Sequence, residues 1–403
     1  MGFGTLCLLV ALGLAGPALA AIPGFGPPLV VGEILIGVAF GRSGLDLVPV
    51  NDPALNLLSE TGFALLMLIV GTHLPIREPG LRPALRKALP LIALTGVLAL
   101  AGGYALVPVT KLHAPLVLAV LLATSSGAVA LPVLQALNRD DDVLLVTTAW
   151  IAVADVATVL AIPLVIRQGS LLEVLAGIAA VAVLAAAVYV VLKRFRATAT
   201  GHDLRHRSKR QHWALDLRLS LLVLFTLAAI AVRQHTSVLI AGFAAGTVLA
   251  LLGEPRRLSW QLIGLGEGFL VPLFFVTLGA KLDLHALVTQ PANLILAGSL
   301  SVGAIAVHVI AALVLRQPIG AGLLATAQLG VPSAVATLGL TTGLLQPGQA
   351  AAVLAAVLVS LAACAAGASR LGHPNGIGDH TAPALPPLPP PPPPGGPAVP
   401  VPS

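Results

Sequence analysis

Long apolar runs separated by short polar breaks repeat along most of the 403 residues. Each run approaches the ~20 residues that a helix needs to cross ~30 Å of hydrocarbon, so the pattern predicts about thirteen spans. Their cores are Phe3–Ala21, Pro28–Leu47, Ala54–His73, Ala88–Val109, Leu116–Leu137, Val143–Ile166 and Leu171–Leu192. They continue with Ala214–Val232, Ser237–Leu252, Ser259–Ala280, Pro291–Leu315, Ile319–Leu344 and Ala350–Ala366. Ala18-Leu19-Ala20 resembles a signal-peptidase site, but no Lys or Arg precedes Arg42, so the first run is expected to be a retained helix. The fold class predicted is an all-α polytopic membrane protein.

Asp155 breaks the apolar pattern most sharply. It lies near the middle of the sixth run. A carboxylate at that depth costs roughly 2.5–3.5 kcal/mol on insertion scales, and such groups face cavities or pathways. The fifth run carries Thr124-Ser125-Ser126-Gly127 and then Pro132, and the twelfth carries Gly330-Val331-Pro332-Ser333. Both read as helix breaks. They are seven spans apart, and an odd offset reverses orientation, so the halves are expected to be inverted repeats with two crossed broken helices. The expected division is a first repeat of six helices at 1–167, a linking helix and basic loop at 168–213, a second repeat of six at 214–368, and a Pro-rich tail at 369–403. The thirteenth span has no carboxylate to match Asp155, so the site is asymmetric on a symmetric scaffold.

Composition agrees with a membrane location: 57% of residues are hydrophobic, 9% are charged, and the mean hydropathy is +0.98. The pI of about 9.9 and net charge of +6 do not point to nucleic acid, because the basic residues are segregated by loop. All but five of the 22 Lys and Arg follow odd-numbered runs, with a dense cluster from Lys193 to Arg210. The positive-inside rule then puts the N-terminus outside and the C-terminus in the cytoplasm, as expected of a multi-pass protein of the cytoplasmic (inner) membrane. Cys7 and Cys364 lie in apolar runs at opposite ends of the chain and read as fillers. No phosphate loop, His-Glu-x-x-His or Cys cluster is present, so neither an enzyme nor a cofactor is expected. The segment Thr381–Ser403 reads as a polyproline spacer or ligand, too short for a nucleotide-binding regulatory domain.

Several segments carry a resemblance. Val31-Gly32-Glu33-Ile34-Leu35-Ile36-Gly37 with Gly41-Arg42-Ser43-Gly44-Leu45, and Ser59-Glu60-Thr61-Gly62-Phe63-Ala64-Leu65-Leu66-Met67, are two of them. Ala123-Thr124-Ser125-Ser126 with Leu131-Pro132-Val133-Leu134, and Val271-Pro272-Leu273-Phe274-Phe275-Val276-Thr277-Leu278-Gly279, are the others. Together they resemble the monovalent cation:proton antiporter-2 family, the Kef-like bacterial sodium/proton exchangers. The resemblance implies a homodimer, a core with crossed broken helices, and elevator-like alternating access. It matches Asp155 to the ion-binding member of a polar pair whose first member is Ala154 here. It places His308 where the family often has Lys or Arg, and Pro332-Ser333 where a Gly-Glu is common.

The expected reaction is exchange of Na⁺ or K⁺ for H⁺. A proton or a small cation can neutralise Asp155, but they compete for one site. Thr124, Ser125, Ser126 and Thr158 are the expected oxygen ligands of the transported cation, and His308 the charge-compensating group. Glu33, Glu60, Glu267 and Ser333 are candidates for the pathway; the competing reading is capping or contact with lipid headgroups for Glu33, helix packing for Glu60 and Glu267, and for Asp155 a simple pairing with a neighbour such as His308. Alternatives are a sodium-coupled symporter of an organic anion and a non-transporting sensor or partner subunit. The partners implied are the cation, the proton and the lipid bilayer.

Overall fold

The computed structural model describes residues 2–20, 29–72, 81–137, 142–166, 170–198, 214–234, 237–253, 261 and 264–371. The Pro-rich tail beyond 371 and most of the basic run, including Arg205, Arg207, Lys209 and Arg210, lie outside the described residues. Among the described residues the chain is helical, with no strand. The first half contains α1 (Phe3–Gly13), α2 (Ala15–Ala20), α3 (Leu29–Phe40), α4 (Pro53–Thr72), α5 (Leu81–Thr110), α6 (Pro115–Ala123), α7 (Gly127–Ala136) and α8 (Asp142–Val165). Next come α9 (Leu171–Ala197), α10 (Leu215–Arg233), α11 (Val238–Leu252), a π-helical turn (Gly266–Leu270) and α12 (Val271–Lys281). The chain continues through α13 (Leu284–Thr289), α14 (Pro291–Val314), α15 (Ile319–Ala325), α16 (Gly330–Thr342) and α17 (Pro347–Leu371). Eight helices among the described residues are long and apolar enough to cross a membrane, taking α15 and α16 as one broken span, and α1 and α11 are shorter apolar helices.

Three boundaries differ from the hydropathy reading for local reasons. The second run stops at Phe40, because Gly41–Asp46 fold back: the N–H of Leu45 bonds the Ala39 carbonyl at 2.9 Å and that of Arg42 reaches Ala280 of α12 at 3.2 Å. The seventh helix extends to Ala197, through Lys193, Arg194 and Arg196. Cations are favoured in a last helical turn, and Arg196 donates from Nη1 to the Leu252 carbonyl at 3.0 Å. Ahead of α12 the helix widens to a π turn, with the N–H of Val271 bonding Gly266. Pro272 follows directly and has no N–H to offer Gly268, so the ordinary helical ladder is interrupted there.

The packing partners of the first half recur in the second. α3 packs on α12 as α11 packs on α4; α5 packs on α6 and α8 as α14 packs on α15 and α17. Close approach makes the first two pairs rigid: a Cβ on Gly37 would collide with the Val276 carbonyl, and one on Gly246 with that of Leu68. Two groups of helices result, one built from α5–α8 and α14–α17, the other from α1–α4 and α10–α12 with the π turn; α9 packs on α10 and α11 and also touches α8. The groups meet where α8 touches α11 and α16 touches α4. α5 and α9 turn apolar side chains such as Val97 and Val183 outward, as lipid-facing helices do, whereas α8 and the α15–α16 pair are mostly buried.

Candidate ion site

The first break is built by three hydroxyl residues. α6 ends at Ala123, and Thr124 turns to an extended conformation with φ −71° and ψ 142°. Ser126 then serves as the cap of α7, its carbonyl accepting the N–H of Ala130 at 2.9 Å. Ser and Thr side chains compete with helical backbone bonds, which makes a break at this point inexpensive. Thr124, Ser125 and Ser126 are all buried.

The second break lies four residues ahead of its expected place. α15 ends at Ala325, Thr326–Leu329 interrupt the helix, and Gly330 starts α16. Gly330-Val331-Pro332-Ser333 is therefore the first turn of α16. Pro332 is tolerated there because first-turn N–H groups have no helical partner to lose. Ser333 is fully buried and donates to the Leu329 carbonyl at 2.8 Å.

Each break satisfies carbonyls that the other leaves without a helical partner. Ser125 Oγ donates to the Ala325 carbonyl at 2.6 Å. Gln328 Nε2 donates to the Leu121 carbonyl at 2.9 Å and approaches that of Thr124 at 3.4 Å. Away from water such backbone groups must find partners inside the protein, so the two breaks hold one another in place. Gln328 was not among the residues singled out from sequence; its signal was a buried amide in an apolar run just ahead of Gly-x-Pro.

α8 runs past both breaks, touching α6, α7, α15 and α16. Its Asp155 is 7% exposed, and Oδ2 accepts the N–H of Gly127 at 2.9 Å. Gly127 is the first residue of α7, so the carboxylate sits at a helix N-terminus, where unpaired N–H groups and the helix dipole favour negative charge. A Cβ at Gly127 would stand 3.3 Å from the same oxygen. One turn beyond, Thr158 donates to the Ala154 carbonyl at 2.7 Å, and its oxygen lies 3.1 Å from Thr124 Oγ1. With the Thr158 proton committed to α8, Thr124 is the donor of that pair. Thr124 and Thr158 are thus paired one turn along α8 from Asp155.

His308 is fully buried on α14. Its Nδ1 donates to the Ala304 carbonyl at 2.9 Å, Nε2 lies 3.4 Å from Ser125 Oγ, and the ring tilts against Trp150 of α8 at 5.7 Å. Its partners are Ser125, Trp150 and the backbone of Ala123 and Ala304, and not the carboxylate, which removes the reading of Asp155 as half of a pair with His308. The other acids stand apart from this network. Glu33 is buried on α3 with Glu267 of the π turn in electrostatic reach. Glu33 therefore lies inside the packed protein. Glu60 is exposed on α4 and lines a cavity. Among the described residues no cluster of three or more His, Cys, Asp or Glu is assembled as a metal site.

The chain is 28% identical to the putative Na⁺/H⁺ antiporter YjbQ of Bacillus subtilis over 362 residues, 83% of this chain and 57% of that protein. It is 33% identical to the high-affinity Na⁺/H⁺ antiporter NhaS3 of a Synechocystis species over 155 residues, 36% of this chain and 33% of that one. The chain therefore spans little more than half the length of the first relative and a third of the second. Its fold matches the structure of the sodium proton antiporter MjNhaP1 from Methanocaldococcus jannaschii at pH 8, with a TM-score of 0.60 at 16% identity, over 92% of this chain and 97% of that one. The family model for the transmembrane part of sodium/hydrogen exchangers matches residues 8–367, so this chain belongs to the sodium/hydrogen exchanger family.

Proposed function

We propose that the protein is a secondary antiporter that exchanges a monovalent cation, Na⁺ or K⁺, for H⁺, with Asp155 binding the two in turn. The observation that carries this reading is the seat of Asp155 at the N-terminus of α7, beside the first break. A buried carboxylate is costly unless it is neutralised or well bonded. The Gly127 N–H stabilises the charged form, and either a proton or a cation neutralises it. Thr124, Ser125, Ser126 and Thr158, with carbonyls of the break, supply oxygens to a bound cation.

Alternating access follows if the group carrying α6–α8 and α15–α16 moves against the α4–α11–α12 group only when Asp155 is neutral. Close backbone contacts occur in both groups, at Gly37 and Gly246 in one and at Gly103 and Gly367 in the other, which favours motion of each group as a body. Within the family, the motifs around Gly32, Glu60 and Phe274 favour the Kef-like branch. The same reading takes thirteen spans, an external N-terminus, a cytoplasmic C-terminus, the inner membrane and a homodimer. His308 tunes the break through its contact with Ser125.

Purified protein in sealed vesicles tests this directly. Imposed Na⁺ or K⁺ gradients should drive proton movement in the opposite direction. With Ala154 in place of a second polar residue, Asp155 is the single carrier and exchange should build no membrane potential. Proton flux that ignores both cations would overturn the reading.

A further inference from the structure

Trp150 of α8 is the bulkiest fully buried side chain among the described residues, and its indole N–H has no hydrogen-bond partner there. It lies five residues before Asp155, roughly 7.5 Å along the helix axis. A buried N–H without a partner costs stability, and a phenyl ring would fill much of the same space without that cost. Burial alone therefore does not account for an indole at this position.

Its surroundings are the half-helices of both breaks. Trp150 shares one apolar cluster with Leu134 of α7, Leu324 of α15 and Ala311 of α14. Its ring lies against His308 of α14, with centroids 5.7 Å apart and planes inclined by 31°. The imidazole is held at its edge, where Nδ1 donates to the Ala304 carbonyl and Nε2 lies 3.4 Å from Ser125 Oγ. Contacts in the ring plane leave the imidazole free to tilt about the line joining the two nitrogens. An indole against its face removes that freedom, because aromatic rings in contact prefer offset or inclined arrangements. Ser125 in turn donates to the Ala325 carbonyl at the end of α15. The contacts therefore run unbroken from Trp150 through His308 and Ser125 to the second break.

We propose that Trp150 is a positioning residue for the ion site: its indole sets the tilt of His308, and His308, through Ser125, sets how the two breaks are spaced around the cation. The proposal rests on the antiport reading. In this role Trp150 acts through His308, and what it governs is the placement of the oxygens at the breaks. Its effect therefore falls on cation affinity.

The test is a double-mutant cycle read in sealed vesicles on Km for Na⁺, or for K⁺ where that is the ion exchanged. Trp150→Leu should raise Km about three- to tenfold, the range for loss of an aromatic pair, with little change in the maximal rate. In the His308→Gln background the same substitution should add less than about twofold, because its partner is already gone. Trp150→Phe keeps an aromatic face and should recover most of the Km. A merely structural role would lower thermal stability and leave the two Km effects additive. A second readout leaves Trp150 in place, including where Trp150→Leu does not fold. With Trp213→Phe and Trp260→Phe, Trp150 is the one remaining tryptophan of three. The cation should alter its emission with half-saturation near the exchange Km, and His308→Gln should abolish that response. Additive Km effects in folded variants would overturn the positioning role while wild-type exchange stands. So would an emission that the cation leaves unchanged or changes equally without His308. Wild-type protein without Na⁺- or K⁺-dependent proton flux would overturn the antiport reading and the positioning role with it.

Discussion

The backbone N–H of Gly127 donates to Oδ2 of Asp155 at 2.9 Å, and it does so from the first position of α7. The ionisable group and the break in the neighbouring span are therefore one device. In the exchange proposed above, loading of the carboxylate would change the charge seen by the end of a half-helix, and the geometry of that half-helix would set how well the anion is held.

Gly127→Ala tests that coupling. A Cβ would stand 3.3 Å from the carboxylate oxygen, so the contact must lengthen. Alanine is favoured over glycine in a helix by roughly 0.5–1 kcal/mol, so the fold should not suffer. A weakened charge-assisted bond costs about 1–2 kcal/mol, equivalent to a Km for the cation raised about tenfold. Titration of exchange against Na⁺ measures it; an unchanged Km would show that this bond does not hold the anion.

Gln328→Leu tests the tie between the two breaks. The amide satisfies the Leu121 carbonyl and approaches that of Thr124. Leaving a buried carbonyl without a partner costs about 1–3 kcal/mol. Thermal unfolding in detergent should move to lower temperature, with exchange reduced in the protein that remains folded. A variant as stable and as active as the wild type would mean that the carbonyls find other partners.

The polytopic helical fold was legible because twenty-residue apolar runs have few other solutions, and the segregation of Lys and Arg pointed to an orientation. Asp155 and the Thr124–Ser126 break were legible for the same reason: polar groups stand out where the solvent is hydrocarbon. What was not legible came from partners remote in sequence. Gly127 looked like one more helix-breaking residue, and only the fold brings its N–H to Asp155. The second break was misplaced because Pro332 marks it in sequence, although proline is compatible with a first helical turn and the interruption falls at Thr326–Leu329. Glu33 lies near the end of its run, yet packing against α12 buries it.

His308→Gln separates tuning from carrying. The ring reaches Ser125 and Trp150, so its loss should leave measurable exchange and shift the pH dependence of the rate. Glutamine keeps a hydrogen-bonding side chain at the position without the imidazole ring. Rates across pH 5–9, compared with wild type, check this; complete loss of exchange in a folded protein would make His308 a carrier.

Asp155→Asn is the most direct measurement. The amide is nearly isosteric, resembles the neutral acid in charge, and removes the cost of a buried charge, so expression and thermal stability should be close to wild type. It can neither release a proton nor hold a cation strongly. In sealed vesicles, proton flux driven by Na⁺ or K⁺ gradients should disappear with Asp155→Asn, while wild-type-like exchange by the same folded protein would contradict the account and move the carrier elsewhere.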